Sequence, residues 1–506
     1  MKPRPSPLRS HMTSPRRAGF LAGTALLASA LLGCRSDPGL VHNTATRPAS
    51  APIAVQVWVT TADRKRLLAR SADLALDGQA PLPLVIDVDE NTRYQEMVGF
   101  GAAVTDASAI VIARLKPAQR KALLGELFGP PPGIGLGFVR VPIGASDFSS
   151  FHYSLDDLPP GESDPQLIHF SLAANHAQLT SLLRAARRVN PQLRVVASPW
   201  SAPGWMKDSG SLVTGHLRPD AYGVFADYLL RYADVSAKAG VPIYALTVQN
   251  EPGFEPTDYP GMLFDAASRA RFISDFLGPR LGQHKQPPLV LDWDHNWDHP
   301  EAPLATLSNP AAAHYIAGVA WHCYNGEVGS QQQVHEAFPD KDAYLTECSG
   351  GGWSPHWSEA LRQFVGHLMI GSTRAWARGV ILWNLALDEH HGPHAGGCKN
   401  CRGVVTLDSG SGQVTRNVEY YSLAHLSRFV RPGARRIASS SGIQELQSVA
   451  FRNMDDGSLV LLVLNGGPEP RAFSVRSAGR SFSYQLPPGA VATFCWRQGG
   501  AAATTR

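Results

Sequence analysis

Several common signatures are missing from this chain of 506 residues. No P-loop, dinucleotide-binding fingerprint or nucleophile elbow occurs where a strand and a helix would frame it, which removes the usual footholds for nucleotide and serine-hydrolase chemistry. No internal repeat is found, and low-complexity sequence is confined to the ends. Charged residues are scarce, 17% beside 44% hydrophobic, a balance that buries a large core and excludes disorder. An excess of positive charge is also missing. The formal net charge is +4, but Lys2, Arg4, Arg9, Arg16 and Arg17 all lie in the first 33 residues, which contain no acid. Without that stretch 41 basic residues face 42 acidic ones, so no nucleic-acid partner is expected.

What is present begins with an export pattern. Arg16-Arg17 precede the apolar run Phe20 to Leu32, which is too short to span a bilayer, and residues 1–33 read as a signal peptide. The run ends Leu31-Leu32-Gly33-Cys34, resembling a bacterial lipobox whose cysteine becomes the lipidated first residue. Leu32 is bulkier than usual there, which leaves cleavage without lipid open. The twin arginines loosely resemble a twin-arginine signal. The expectation is an exported, periplasmic or cell-surface lipoprotein, touching membrane through Cys34 at most, with residues 34–50 as a polar tether.

Two strand-like runs follow, Ile53 to Thr60 and Leu82 to Val88, with no helix pattern between them. From residue 96 to 430 strand-length apolar runs alternate with amphipathic helical segments, the pattern of a parallel sheet. Eight runs are counted: Gly99–Val104, Phe138–Gly144, Arg194–Trp200, Ile243–Asn250, Leu289–Trp293, Val319–Tyr324, Ala343–Glu347 and Val380–Leu385. Helices are expected over Pro117–Leu127, His176–Val189, Tyr222–Ala239 and Glu359–Ile370. Eight such units make an α/β fold, a (β/α)8 barrel. Residues 431–497 return to short strands (Leu446–Phe451, Ser458–Leu464, Ala472–Val475, Ala490–Cys495), an antiparallel β-sandwich that strands from 51–95 are expected to join. Residues 498–506 form a tail.

Functional side chains of such barrels gather at the carboxyl ends of the strands. Polar and aromatic residues recur there: Asp106, Arg140 and Asp147, Trp200, Asn250 and Glu251, Asp292, Asp294 and His295, His322 and Tyr324, Glu347, and Trp383-Asn384. Carboxylates suit sugar hydroxyls and aromatic faces suit a pyranose ring. Glu251 and Glu347 close strands four and seven, on opposite sides of the mouth. Glycoside hydrolysis needs two carboxyl groups, one protonated to release the leaving alcohol and one ionised. Asn250 is placed to bind a 2-hydroxyl and Arg140 to keep Glu347 ionised.

The segments Val98–Ala107, Arg140–Ser149, Ala197–Lys207, Thr247–Pro252 and Leu382–Asp388 together resemble family 30 glycoside hydrolases, most closely the glucosylceramidase group, over residues 55 to 497. The resemblance implies a barrel with a side β-sandwich built from both chain ends, and a retaining enzyme. It implies Glu251 as acid/base, Glu347 as nucleophile, and Asp106, Trp200, Asn250, Tyr324 and Trp383 around the glycone, with no cofactor. The substrate it implies is a glycan or glycolipid of the glucosylceramide type, ahead of a β-1,6-glucan or a β-xyloside. A carbohydrate-binding lipoprotein without catalysis is the reading from another class. Two departures bear on substrate: Cys323 stands where that group has an aromatic, and residues 389–402 are rich in His and Cys. There Cys398 and Cys401 are expected to form a disulfide rather than bind a metal, given export and short spacing. Cys323 and Cys348 sit at neighbouring strand ends, where a pair and free buried thiols are both compatible with the sequence.

Overall fold

The computed structural model describes residues 51–172, 176–443 and 445–498. The stretches expected to be a signal peptide and tether, with Cys34 between them, lie outside the described residues, as does the expected tail beyond residue 498. Eight parallel strands form the barrel: β1 (Gly99–Ala102), β2 (Phe138–Ile143), β3 (Arg194–Pro199), β4 (Ala245–Thr247), β5 (Leu289–Asn296), β6 (Ile316–His322), β7 (Asp342–Glu347) and β8 (Ala377–Leu382). From β2 to β8 each pairs with the next in sequence, and β8 pairs with β1. A bridge between Ala103 and Arg140, with Val104 N–H donating to the Arg140 carbonyl at 2.8 Å, brings the first strand against the second and completes the ring.

Beneath the mouth the barrel is filled by one residue from each strand or its start: Val98, Phe138, Val196, Ala245, Leu291, Ala320, Tyr344 and Ile381, all fully or almost fully buried. The large Phe138 explains two small neighbours. A Cβ on Gly101 would lie 1.9 Å from the Phe138 carbonyl oxygen, and one on Gly379 would lie 2.6 Å from its ring. This plug is a rigid floor on which side chains of the next layer up can be held.

The outer helices form where expected, for local reasons. Ala177–Val189 buries Leu179, Leu182, Leu183 and Ala186, a stripe of three- and four-residue spacing turned to the sheet. Pro117 opens the helix Pro117–Phe128, where its missing N–H costs nothing. Gly240, with φ +86°, follows the helix Tyr222–Lys238 and turns the chain into β4. The segment expected over 359–370 starts earlier, at Trp357, and widens into π-type turns over Phe364–Ser372.

The side sheet draws on both chain ends. Ile53–Thr60 pairs with Val491–Arg497, and Val85–Glu96 lies between Arg435–Ser439 and Arg471–Ser477. Pairing is antiparallel except between Val85–Glu96 and Arg471–Ser477, which run parallel. Its seam with the barrel is polar but satisfied. His425 is fully buried, with Nδ1 2.8 Å from Thr493 Oγ1 and Nε2 2.8 Å from Thr60 Oγ1. Because the Thr493 hydroxyl donates to the His425 carbonyl, it can only accept from Nδ1–H, which leaves Nε2 to accept from Thr60. Arg374, just past the Phe364–Ser372 turns, donates to the Ser439, Ser440 and Ser448 carbonyls of the sandwich.

Candidate active site

Local backbone irregularities turn the functional side chains into the mouth. Strand β4 stops at Thr247, three residues short of the expected end, because beyond it Asn250 N–H bonds to the Pro199 carbonyl and Glu251 N–H to the Asp294 carbonyl. Glu251 has φ +46°, a conformation a non-glycine residue adopts at some cost and one that clusters at functional sites. In β5 Trp293 and Asp294 also have positive φ, 74° and 53°. Pairing with β6 jumps there from Ala320–Trp293 to Trp321–His295, so Asp294 is the extra residue of a bulge. A second jump, from Trp321–Leu345 to His322–Glu347, leaves Thr346 over.

The two extra residues meet. Asp294 Oδ1 accepts from Thr346 Oγ1 at 2.6 Å and faces His322 Nε2 at 3.1 Å. Its Oδ2 accepts from Arg140 Nη2 (2.6 Å), Ser198 (2.8 Å) and Thr247 (2.8 Å). Burial works against the charge of Asp294, but Arg140, His322 and Thr346 hold its carboxyl well below the usual carboxylate range. It is the fixed anion under the site. Arg140, itself fully buried, donates Nη1 to Glu347 Oε2 at 2.6 Å and Nη2 to Asn250 Oδ1 at 2.6 Å. The Asn250 amide nitrogen is thereby turned away from Arg140. Tyr324 OH donates to the other Glu347 oxygen at 2.9 Å. The Arg140 guanidinium lies 4.6 Å from the Trp200 ring centre, and Trp200 stacks on Trp383 at 5.2 Å.

Glu251 is held differently. Its Oε1 lies 3.0 Å from His322 Nδ1 and 4.0 Å from His295 Nε2. Burial opposes protonation of His322, but the Glu347 charge and the hydrogen bonds to Asp294 and Glu251 push the imidazole up to about 9. Burial likewise opposes ionisation of Glu251, yet His322 keeps it below its ordinary value. Glu347 is pushed upward by burial and by Glu251, against the pull of His322 and Arg140. Taken singly, those directions would place a first added proton on Glu347. The hydrogen bonds decide otherwise: both Glu347 oxygens accept, from Arg140 and Tyr324, and these donors serve the ionised form, which leaves Glu251 as the carboxyl that carries the proton in the reaction. Two cations, Arg140 and His322, thus serve three carboxylates.

Donor atoms of Glu251, His322 and Glu347 all lie within 4.8 Å of one another. The trio could in principle chelate a cation, but its electrons are already committed to Arg140, Tyr324 and a protonated imidazole. The same closeness suits a double displacement, for which carboxyl groups stand about 5–5.5 Å apart, rather than the 6.5–9.5 Å or so that leaves room for a water.

Of the residues expected at the glycone, Asp106 opens the helix after β1 and is buried. Its Oδ2 accepts from Ser149 Oγ (2.7 Å) and Tyr153 OH (2.8 Å), so it buttresses the loop after β2. Asp147 of that loop is the carboxyl that feels the site. Burial, with the charges of Glu347 and Glu251, pushes it well above the usual range. A carboxyl there can hydrogen-bond a sugar hydroxyl. Asp147 and Asp294 belong to the polar inventory read at the strand ends, but without a role; the bulge in β5 and the burial of Asp147 supply it. The His- and Cys-rich loop reaches over Asp147: Ala395 N–H bonds to the Asp147 carbonyl at 2.8 Å, and Cys398 is joined to Cys401 by a disulfide. A second disulfide joins Cys323 to Cys348.

A closed ring of eight parallel strands with two close carboxylates, a buried arginine and stacked tryptophans at its carboxyl end defines a barrel enzyme that cleaves glycosidic bonds. Residues 97–430 match the family 30 glycosyl hydrolase TIM-barrel domain, and residues 433–494 the family 30 beta sandwich domain. The chain belongs to glycoside hydrolase family 30. It is 34% identical over 436 residues to the Aspergillus fumigatus endo-1,6-beta-D-glucanase neg1, covering 81% of this chain and 87% of that protein. Identity to the Mus musculus lysosomal acid glucosylceramidase is 30%, covering 82% and 84%. Among solved structures, the endo-beta1,6-glucanase BT3312 superposes with a TM-score of 0.81 at 30% identity, covering 88% of this chain and 99% of that one.

Proposed function

We propose that this glycoside hydrolase cleaves β-1,6-linked glucan with retention of configuration, Glu347 acting as nucleophile and Glu251 as acid/base. The observation that carries the substrate is the likeness to proteins described as endo-1,6-β-glucanases, in sequence over most of both chains and in fold. It supports β-1,6-glucan over the glucosylceramide reading favoured by the motifs alone, since identity to the glucosylceramidase is lower. The observation that carries retention is the proximity of the two carboxylates.

In the proposed reaction Asn250 orients the 2-hydroxyl and Asp147 another hydroxyl of the glycone, with Trp200 and Trp383 forming its wall. Glu347, held by Arg140 and Tyr324, attacks the anomeric carbon. Glu251 delivers a proton to the leaving oxygen and then takes one from the water that releases the sugar, so its proton is restored at the end of the cycle. Exposed rings of Phe254, Tyr324 and Trp353, on the loops after β4, β6 and β7, offer stacking faces to the rest of the polymer. The test is a panel of β-1,6-glucan, glucosylceramide, an aryl β-glucoside and β-xylan. The proposal expects β-1,6-glucan to have the highest kcat/KM. Cleavage of glucosylceramide with no release of sugar from the glucan would refute it.

A further inference from the structure

Away from the mouth, the loop between β2 and the helix Ala177–Val189 contains a second cluster of acids. Asp156, Asp164 and His169 each offer a donor atom, and all three atoms lie within 4.8 Å of one another. Asp156 is 1% exposed and Asp164 4%. Among the described residues no donor reaches either carboxylate oxygen of Asp156 in good hydrogen-bond geometry; the Trp205 and Asp164 side chains act on it, and burial with the charge of Asp164 pushes it up to about 6. That is the anomaly. A buried carboxylate with both oxygens unpaired is costly, and a second buried acid beside it makes the cost larger. Asp164 Oδ2 accepts the His169 backbone N–H at 2.7 Å and lies 3.1 Å from His169 Nδ1, whose side chain is 64% exposed.

We propose that Asp156, Asp164 and His169 form a divalent-cation site of the zinc or manganese type, which ties this loop together. The donor set of two carboxylates and one imidazole suits such an ion better than calcium, which takes oxygen ligands only. Ligand bonds of about 2.0–2.2 Å place donors on one zinc ion roughly 3–4 Å apart, a separation the trio reaches with small side-chain movements. Solvent completes coordination on the exposed side of His169. The ion supplies the positive charge that the two buried carboxylates lack.

The surroundings indicate what it would hold. The Asp156 carbonyl accepts from Trp205 Nε1 at 2.9 Å, on the loop after β3. Leu155 N–H donates to Tyr228 OH at 3.1 Å, and Ser171 N–H donates to the Leu155 carbonyl at 2.8 Å. The site thus lies where residues 155–171 of the loop that carries Asp147 meet the loop after β3 and the helix Tyr222–Lys238. The ion is structural and takes no part in bond cleavage.

The test uses the full-length protein, stripped with chelator and dialysed against zinc chloride or manganese chloride. Metal content is read by mass spectrometry and thermal stability by calorimetry. One equivalent should bind, and saturation should raise Tm. His169→Ala, at an exposed position that does not threaten folding, should weaken binding at least tenfold; Asp156→Asn should abolish it and the Tm rise. The double variant Glu251→Gln, Glu347→Gln should bind undiminished, which separates this site from the trio at the mouth. Three results would each overturn the proposal: no binding at millimolar metal, stoichiometric binding retained in His169→Ala and Asp156→Asn, or binding lost only in the double variant. In the first case the two acids share a proton instead.

Discussion

At the residue scale, His322 is the group whose charge the site depends on most directly. It is fully buried, faces Glu251 on one nitrogen and Asp294 on the other, and stays protonated to about pH 9. Its folded value lies above the ordinary 6.5, so the folded state holds the proton more tightly. The stability it contributes is fully present below about pH 6.5 and is lost as pH rises through about 9, an effect of roughly 3 kcal/mol at about 1.4 kcal/mol per pH unit. Lys207 works in the opposite sense. Burial lowers it to about 7, so stability rises with pH above that value. Comparison with a variant is therefore required. Wild type should lose Tm between pH 6.5 and 9.5 relative to His322→Gln, and the alkaline limb of kcat/KM should move in the variant. Parallel Tm curves would show that His322 is neutral in the fold.

At the element scale, the two disulfides should behave very differently. Cys323 lies between His322 and Tyr324, and Cys348 follows Glu347, so their bond fastens the end of β6 to the end of β7. It closes a loop with a sequence separation of 25, against 3 for Cys398–Cys401. Loop-closure entropy then gives the first about 3 kcal/mol and the second much less. Cys323→Ser should lower unfolding free energy by about that amount in denaturant titrations and also lower kcat, since Tyr324 and Glu347 lose their brace. Cys398→Ser should change stability far less. The reverse order would contradict the assignment. The sequence left the Cys323–Cys348 pairing open because strand-end proximity alone does not distinguish a bond from two buried thiols. The eight barrel strands were legible because each is an apolar run of the right length between helical segments. Less legible were the bulges. Positive φ at Glu251, Trp293 and Asp294 arises from hydrogen bonds between neighbouring strand ends, not from local propensity, so neither the early stop of β4 nor the inward turn of Asp294 could be read. Asp106 and Asp147 show the same limit. Both are acids at barrel strand ends, and the bracing of Asp106 Oδ2 by Ser149 and Tyr153 comes from a loop whose course the sequence does not show.

At the scale of the whole molecule, barrel and sandwich share a buried polar seam, and that seam should tie their unfolding together. His425 bridges Thr60 and Thr493 as a neutral imidazole, and burial lowers it to about 3. Its folded value lies below 6.5, so its contribution is present above pH 6.5 and is lost as pH falls towards 3. His176 and His295, each lowered to about 4 mainly by burial, act in the same direction. Wild type should unfold in one calorimetric transition that moves steeply downward from pH 6.5 to 4, and His425→Gln should flatten that slope. Two separated transitions at neutral pH would show that the seam does not couple the parts. The account's central claim is that Glu347 attacks and Glu251 manages the proton, and azide rescue tests it most directly. With a dinitrophenyl β-glucoside and added azide, Glu251→Ala still forms the glycosyl-enzyme and should yield the β-glucosyl azide. Glu347→Ala cannot form it and should yield the α-azide by direct attack. Proton NMR of the products reads the anomeric configuration: β from the Glu251 variant with α from the Glu347 variant is the predicted result, and the opposite pairing would contradict the account.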